Sequence, residues 1–216
     1  MRVFLTGGSG VLGRILTRQL LRAGHAVTAP RHFELDLYNL DDVINAMSGS
    51  EAVYHLATRI PPPERIADAD AWAENDRLRS EATPILVDAA LAAGAGLFVL
   101  PSITFLYPDE GPADEDTPLG PGASRLSSMI DAESAVRRFA AEGGRSVILR
   151  LGLLWGSTTG LDDPDERFGT TLHISDAGSA LLAALNVPAG VYNVTSDGGR
   201  ISNAKFKAAT GWQPAF

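Results

Sequence analysis

The sequence predicts an α/β fold with a doubly wound parallel sheet, for three reasons. Apolar, strand-like segments alternate with segments of helical period along the chain. A glycine-rich turn joins the first of these strands to the first helix. The chain has 216 residues, of which 45% are hydrophobic and 20% charged, which is typical of one α/β domain. We therefore expect residues 1–216 to form a single domain.

The alternation of elements is regular. β-branched and aromatic runs predict strands near 2–6, 26–29, 52–56, 97–101, 146–150 and 191–194. Helical periodicity predicts helices near 11–23, 40–48, 72–94, 126–142 and 175–186. Helices between successive strands act as crossover connections, so the pattern predicts helices on both faces of the sheet. Pro84 should kink or divide the 72–94 helix, because proline lacks the N–H that a helix interior needs.

The glycine-rich turn has the spacing Gly7-x-x-Gly10-x-x-Gly13. Gly7 permits the tight turn, Gly10 lets a ligand approach the backbone, and Gly13 lets the helix pack on the strand. The helix N-terminus directs free N–H groups and positive dipole charge at an anion. We therefore expect a Rossmann-like site for a dinucleotide pyrophosphate. Its expected lining residues are Gly7, Ser9, Gly10, Val11, Leu12 and Gly13.

Composition argues against several classes of function. A formal charge of −8 disfavours nucleic acid and anionic membranes as partners. The chain has no cysteine, and its four histidines show no ligand spacing, so no disulfide and no metal site are expected. No apolar run approaches about 18 residues, so we expect no signal peptide, no membrane span and a cytoplasmic protein. The acidic run 162–166 predicts a solvated loop.

Further segments carry a resemblance to a known family. They are Thr6-Gly-Gly-Ser-Gly-Val-Leu-Gly13, Val53-Tyr-His-Leu-Ala57, Leu106-Tyr107-Pro108, Glu115-Asp-Thr-Pro118, Ala132-Glu133, Leu149-Arg-Leu-Gly-Leu-Leu-Trp-Gly156, His173-Ile-Ser-Asp176, Val191-Tyr-Asn-Val194 and Ala209-Thr-Gly-Trp-Gln-Pro214. In this order, the chain resembles extended short-chain dehydrogenases/reductases of the NAD-dependent epimerase/dehydratase type. The similarity covers nearly the whole chain.

The catalytic residues implied by the resemblance are replaced. Family members carry Tyr-x-x-x-Lys before an Ala-Glu pair, and Ala132-Glu133 places the Lys equivalent at Met129 and the Tyr equivalent at Arg125. Counting back from Tyr107 places the Ser/Thr equivalent at Ile103. General acid–base catalysis contributes roughly 10²- to 10⁴-fold, so ketone reduction should be slow unless another group substitutes. The candidate substitutes are Ser102, Thr104, Tyr107 and Arg125.

Each candidate has a second interpretation. Arg125 offers a fixed fork of donors for an anionic substrate or oxyanion, or it is a surface arginine where the 126–142 helix begins. Tyr107 is a displaced acid, or it packs beside the site as its family equivalent does. Ser102 and Thr104 flank the Ile103 position, and Ser102 is expected either to contact a ligand or to have a structural role.

The cofactor predicted from the second strand is NADP, with NAD as the alternative. This strand ends without the acidic residue that would bind a ribose 2′-hydroxyl, and Arg31 stands where a 2′-phosphate would lie, unless it is simply solvated. Asp36 and Leu37 resemble the family's adenine-contacting pair, although Asp36 could instead cap the 40–48 helix. Further residues expected along the cofactor are Leu56, Ala57 and Thr58.

The C-terminal part is short for this family. We expect a core over residues 1–156 and a reduced substrate-side segment over residues 157–216.

The resemblance also implies a homodimer through the 72–94 and 126–142 helices, with candidate contact residues Leu78, Ile85, Leu86, Val136 and Phe139. Two functions remain open. The first is an enzyme with an atypical site that acts on an unknown small molecule by redox or non-redox chemistry. The second is an inactive NADP(H)-sensing regulator or scaffold.

Overall fold

The strands form two parallel sheets in the computed structural model, which describes residues 1–165, 167 and 169–216. The strands are β1 (Arg2–Thr6), β2 (Ala26–Thr28), β3 (Ala52–His55), β4 (Leu97–Ile103), β5 (Arg145–Leu151), β6 (Leu153–Trp155), β7 (Thr171–His173) and β8 (Gly190–Val194). Within the described residues, the main sheet has the order β2-β1-β3-β4-β5-β8, and β6 pairs with β7. The chain changes direction across the sheet between β1 and β3, and open sheets bind ligands beside the carboxyl ends at such a point.

Helices cover both faces of the main sheet. They are α1 (Val11–Arg22), α2 (Leu40–Met47), α3 (Ala73–Arg77), α4 (Thr83–Ala92), α5 (Ser127–Ala141), α6 (Ile174–Ala183) and α7 (Ala204–Thr210). Helices α1 and α6 pack together on one face, and α2, α4 and α5 pack on the other. The predicted doubly wound, Rossmann-like α/β fold is confirmed.

Alternating strand residues supply the two cores. In β1, Val3 and Leu5 face the cluster that contains Leu16 of α1, whereas Phe4 faces the cluster that contains Val43 of α2. Because both faces are covered, the inner strands are apolar over most of their length. This explains why the six main strands could be predicted from short apolar runs.

The predicted 72–94 helix is divided, as Pro84 indicates. A π-helical turn, Leu78–Ala82, separates α3 from α4, and Pro84 lies in the first turn of α4. Proline cannot donate a backbone hydrogen bond into the preceding turn, so the regular α-helical pattern breaks there. Sequence reasoning missed β6, β7 and α7, which are short elements with weak periodicity.

The region after residue 156 contributes to the main core. Leu181 of α6, Val194 of β8 and Phe206 of α7 are fully buried in the core cluster on the α1 face. The indole N–H of Trp212 donates to the Ser179 hydroxyl at 2.9 Å. The C-terminal segment therefore completes the sheet and covers one of its faces.

Three of the expected dimer contacts belong instead to the core. Leu86, Val136 and Phe139 are fully buried within the chain, in the cluster between α4, α5 and the sheet. Leu78 and Ile85 are partly exposed. The apolar spacing thus reflected packing inside the chain for the first three residues, and the homodimer stays a prediction.

The acidic loop is largely exposed where it is described. Asp162 and Asp163 are exposed, and Asp165 pairs with Arg167 at 2.6 Å. Glu166, the last residue of the predicted acidic run, lies outside the described residues. No helix in the described part of the chain is long and apolar enough to span a membrane.

Candidate cofactor site and active site

The turn between β1 and α1 leaves no room for side chains. Gly7 has a φ of +73°, and its carbonyl accepts a hydrogen bond from the Gly10 N–H at 2.9 Å. A Cβ on Gly7 would lie 2.5 Å from the carbonyl carbon of Leu56, and a Cβ on Gly13 would overlap the Gly7 carbonyl oxygen. The turn therefore requires glycine at both positions, and it forms a tight backbone cradle.

Helix α1 begins with unused donors at this cradle. Gly10 is the N-cap residue, and no side chain in the described part of the chain caps the helix. The first four N–H groups of an α-helix have no partner within the helix, and partial positive charge gathers there. Ser9 and Gly10 are exposed, and Val11 and Leu12 are partly exposed. The cradle therefore fits the pyrophosphate of a dinucleotide.

A cationic cleft of about 520 Å³ lies beside the cradle. The Arg14 guanidinium donates to the Ser9 carbonyl at 2.9 Å, which holds this side chain against the loop. The Arg31 guanidinium carbon lies 5.9 Å from the ring centre of Phe33. Neither arginine forms an ion pair with a carboxylate of residues 1–165, 167 and 169–216. The lining residues are Gly8, Ser9, Arg14, Thr17, Ala29, Arg31, His32 and Phe33.

Sequence reasoning found Arg31 but missed the roles of Arg14, His32 and Phe33 in this cleft. The position of Arg14 in the sequence would have predicted its role, because it directly follows Gly13 and lies four residues after Gly10. Residues four apart share a helix face, so the first exposed side chain of α1 on this side is a cation.

Asp36 and Leu37 lie in the segment between β2 and α2, where Asp36 is exposed and Leu37 packs partly buried against the core cluster on the α2 face. The Asp36 carboxylate accepts a hydrogen bond from the Tyr38 N–H at 2.9 Å. Asn39 caps α2, because its side chain accepts from the Asp42 N–H at 3.2 Å. The alternative that Asp36 caps this helix is therefore wrong. Its contact with an adenine, and that of Leu37, stay predictions.

The chain leaving β3 lies against the glycine cradle. A Cβ on Gly7 would meet the backbone of both Leu56 and Ala57. The Ala57 N–H points to the Thr6 hydroxyl oxygen at 3.4 Å, and Thr58 is exposed. The structure thus brings Leu56 and Ala57 beside the predicted pyrophosphate site, and the contact of all three residues with a cofactor stays a prediction.

His55 connects this region to the π-helical turn. Its Nδ1 lies 2.7 Å from the Thr6 hydroxyl, and its Nε2 lies 3.3 Å from the Leu78 carbonyl oxygen. A carbonyl only accepts, so Nε2 carries the proton and Nδ1 accepts from Thr6. Burial lowers the pKa of His55 to about 4; the Leu78 hydrogen bond opposes this shift and the nearby charge of Arg79 adds to it. His55 is therefore a neutral structural residue.

The three positions that the resemblance assigns to the family's catalytic residues hold no tyrosine, lysine or hydroxyl group. Met129 is buried in the core cluster between α5 and the sheet, and Ile103 is partly buried against that cluster. Arg125 is exposed in the short 3-10 helix that precedes α5. None of these side chains is a general acid at neutral pH.

Ser102 belongs to a buried ionic network beside these positions. Its hydroxyl donates to Glu133 Oε1 at 2.6 Å, and Arg150 donates to both Glu133 oxygens at 2.9 and 2.8 Å. Arg137 adds a fourth hydrogen bond at 3.0 Å. Burial raises the pKa of Glu133, but its bonds to Arg150 and Ser102 outweigh burial and lower it overall. The Ser102 proton is therefore committed to Glu133.

Thr104 and Tyr107 are also buried and satisfied. Thr104 is fully buried and donates to the Leu151 carbonyl at 3.2 Å. The Tyr107 hydroxyl donates to Asn193 Oδ1 at 2.9 Å, and the Arg150 guanidinium lies 4.9 Å from the centre of its ring. Burial raises the pKa of Tyr107, against the effect of Arg150. The structure thus joins Ser102 and Tyr107 through Glu133 and Arg150, whereas Arg125 is exposed and forms no hydrogen bond with them.

Comparisons with known proteins agree with this architecture. A model of the NAD dependent epimerase/dehydratase family matches residues 3–176. The chain is 34% identical to 3-diazoavenalumate denitrifying reductase of a Streptomyces species, over 91% of this chain and 76% of that protein. It is 29% identical to 2-alkyl-3-oxoalkanoate reductase of Shewanella oneidensis, over 71% of this chain but only 44% of that protein.

A solved structure shares the fold at lower identity. The UDP-glucose 4-epimerase of Thermus thermophilus, solved in complex with NAD, superposes with a TM-score of 0.79 at 20% identity. The superposition covers 100% of this chain and 94% of that one. The family match extends over most of the chain, and it includes the glycine cradle, β3 and α5. The chain therefore belongs to the NAD dependent epimerase/dehydratase family of extended short-chain dehydrogenases/reductases.

Proposed function

We propose that this chain is an NADP(H)-dependent reductase of a small organic acid, working without a tyrosine proton donor. The observation that carries the proposal is the cationic cleft at the glycine cradle. Arg14 and Arg31 place two guanidinium groups beside the α1 N-terminus, where family members hold the dinucleotide. Guanidinium groups suit phosphate oxygens, and a 2′-phosphate is the group that distinguishes NADP from NAD.

The names of the relatives support a reductase. Two relatives are named as reductases of carboxylates, a diazo compound in one case and a 3-oxoalkanoate in the other. The chain spans about three quarters of the first and under half of the second, so their activities enter here as part of the proposal.

The replaced catalytic positions define the type of acceptor. NADPH, held by the glycine cradle with Arg14 and Arg31, would supply a hydride when bound. An acceptor that is already strongly electron-poor needs no proton from the protein as the hydride arrives, and the Arg125 and Met129 positions offer none. Glu133 binds both Ser102 and Arg150, and Arg150 lies against the ring of Tyr107, so these side chains are fixed in place. We therefore expect an activated acceptor rather than a simple ketone.

Titration calorimetry with NADPH and NADH tests this proposal. We expect NADPH to bind tighter, and Arg31→Ala to weaken NADPH by roughly 10- to 100-fold with little change for NADH, since a hydrogen bond to a charged group contributes about 1.5–3 kcal/mol. Arg22→Ala, at the far end of α1, is the matched control and should change neither affinity. Equal affinities in the unmutated protein would reject the NADP assignment.

The alternative, an NADP(H) sensor, makes a different prediction in a second experiment. A panel of small carboxylates with activated acceptor groups should contain at least one that causes NADPH oxidation. If NADPH binds tightly and no member of the panel is reduced, the sensor is the better description of the protein.

A further inference from the structure

Two buried donors lie without acceptors beside the π-helical turn. Arg79, in the turn itself, is 9% exposed, and its Nε has no hydrogen-bond partner. Asn75, in α3, is fully buried, and its Nδ2 has none either. Arg79 also forms no ion pair with a carboxylate of the described residues. The Asp76 carboxylate offsets part of the Arg79 charge without forming an ion pair with it, and buried donors without acceptors are costly, so this arrangement calls for a role.

Both donors belong to one small region. The residues are four apart, which places them on the same side of the helical segment. The Asn75 side-chain oxygen accepts from the Arg59 N–H at 3.0 Å, so its amide N–H groups are directed away from that bond. Between them in sequence, Asp76 accepts from the Ser128 hydroxyl at 2.6 Å. Unsatisfied donors, one of them charged, match the oxygens of an anion.

The position of this pair relates it to the substrate side of the site. Ser128 is the neighbour of Met129 in the first turn of α5, and the Ser128–Asp76 bond ties α3 to that turn. On the other side, the Arg79 charge acts on His55 at the end of β3. The pair therefore lies between the loop that follows β3 and the start of α5. The α1 N-terminus, Arg14 and Arg31 already provide for the cofactor phosphates on the β1–β2 side.

We propose that Arg79 and Asn75 form a carboxylate-binding subsite that holds the acid group of the substrate. The subsite deepens the proposed function. It rests on that function only for the statement that the bound carboxylate is the substrate. The guanidinium supplies charge and one or two N–H donors, and the Asn75 amide supplies a further donor. Arg125, the surface arginine, is not part of this subsite.

The test compares two arginines of the same helical segment. Arg79→Met removes the buried charge with little change in side-chain length, whereas Arg77→Met removes an exposed arginine that pairs with Glu81 at 3.0 Å. Acetate and benzoate are the probes, benzamide is the uncharged control, and calorimetry measures binding with and without saturating NADPH. Thermal denaturation without ligand measures stability.

We expect at least one carboxylate to bind the unmutated protein and Arg77→Met, and to bind Arg79→Met at least tenfold more weakly. Benzamide should bind none of them. Without ligand, Arg79→Met should be as stable as the unmutated protein or more so, because the cost of burying a charge that Asp76 offsets only in part has been removed. Asn75→Leu should weaken carboxylate binding by a smaller factor, which gives a second readout that keeps Arg79 intact.

Four results would overturn the subsite. The first two are unchanged carboxylate affinity in Arg79→Met and no binding of either carboxylate to the unmutated protein. The third is a fall in NADPH affinity in Arg79→Met as large as the fall in carboxylate affinity. The fourth is a large loss of stability in ligand-free Arg79→Met that Arg79→Lys restores. The proposed function fails separately, if the unmutated protein binds no NADPH. Carboxylate binding without NADPH would still test the subsite in that case.

Discussion

The crevice beside β1 and β2 and the region where β4 meets α5 lie along one edge of the sheet, but they are built differently. In the first, glycines expose the backbone, α1 begins with free donors, and Arg14 and Arg31 have no described counter-ions. In the second, Ser102, Glu133 and Arg150 satisfy one another and are buried. We infer from this difference that the unused donors are a binding site for a ligand, whereas the satisfied network stabilises the fold.

The largest expected effect tests the stabilising side of this comparison. Glu133→Gln leaves the Arg150 charge buried without compensation and should lower the free energy of unfolding by about 3–5 kcal/mol. Glu142→Gln removes an exposed ion pair with Arg138 and should cost at most about 1 kcal/mol. Urea denaturation measures both. A loss for Glu133→Gln no larger than that of the control would show that the network is not a major source of stability.

A second prediction concerns pH and the neutral His55. Its pKa is about 4 in the folded protein and about 6.5 in the unfolded chain. The unfolded state therefore binds the extra proton first as pH falls, so stability is full above about pH 6.5 and declines towards pH 4. The decline attributable to His55 is roughly 3 kcal/mol. His55→Gln should flatten the stability profile over this window, and His25→Gln, at a partly exposed histidine, should leave it in place.

The pH profile of stability in His55→Gln can also contradict this second prediction. A profile that keeps its full slope between pH 6.5 and 4 in His55→Gln would mean that other groups cause the acid sensitivity. The bridge from Thr6 through His55 to the π-helical turn would then have no detectable role in the pH dependence of stability.

The smallest expected effect on stability belongs to the cofactor side. A methyl group on Gly13 would overlap the Gly7 carbonyl oxygen, so Gly13→Ala should cost about 1–3 kcal/mol. Its effect on function should be much larger, because the overlap opens the cradle, and we expect NADPH affinity to fall at least tenfold. Gly122→Ala is the control, since a Cβ there meets nothing within 4 Å. Normal NADPH affinity in Gly13→Ala would refute the cradle as the pyrophosphate site.

The sequence could predict the glycine-rich turn and the strands because their determinants are local. The spacing of Gly7, Gly10 and Gly13 specifies the turn by steric requirements among near neighbours, and apolar runs covered on both faces indicate the strands. Arg31 could be placed because it closely follows β2. Arg14 could have been found by the same reasoning.

The rest depends on contacts between distant residues. Whether Ser102 is free for a ligand is decided by Glu133 on another element, and the environment of Tyr107 is decided by Asn193 of β8. The unsatisfied donors of Asn75 and Arg79 arise from how the π-helical turn packs, and no local pattern reports a missing partner. The core positions of Leu86, Val136 and Phe139 could not be distinguished from a dimer contact by spacing alone.

The central claim is that the cofactor side is intact while the reaction side has lost its proton donor. Its most direct test is ketone-dependent NADPH oxidation by the unmutated protein, with cyclohexanone and acetophenone as simple ketones, under conditions where calorimetry shows NADPH bound. We predict negligible oxidation above the rate without ketone. Robust reduction that survives Tyr107→Phe, Ser102→Ala and Thr104→Val would contradict the claim and show that the proton donor lies at a position other than those assigned here.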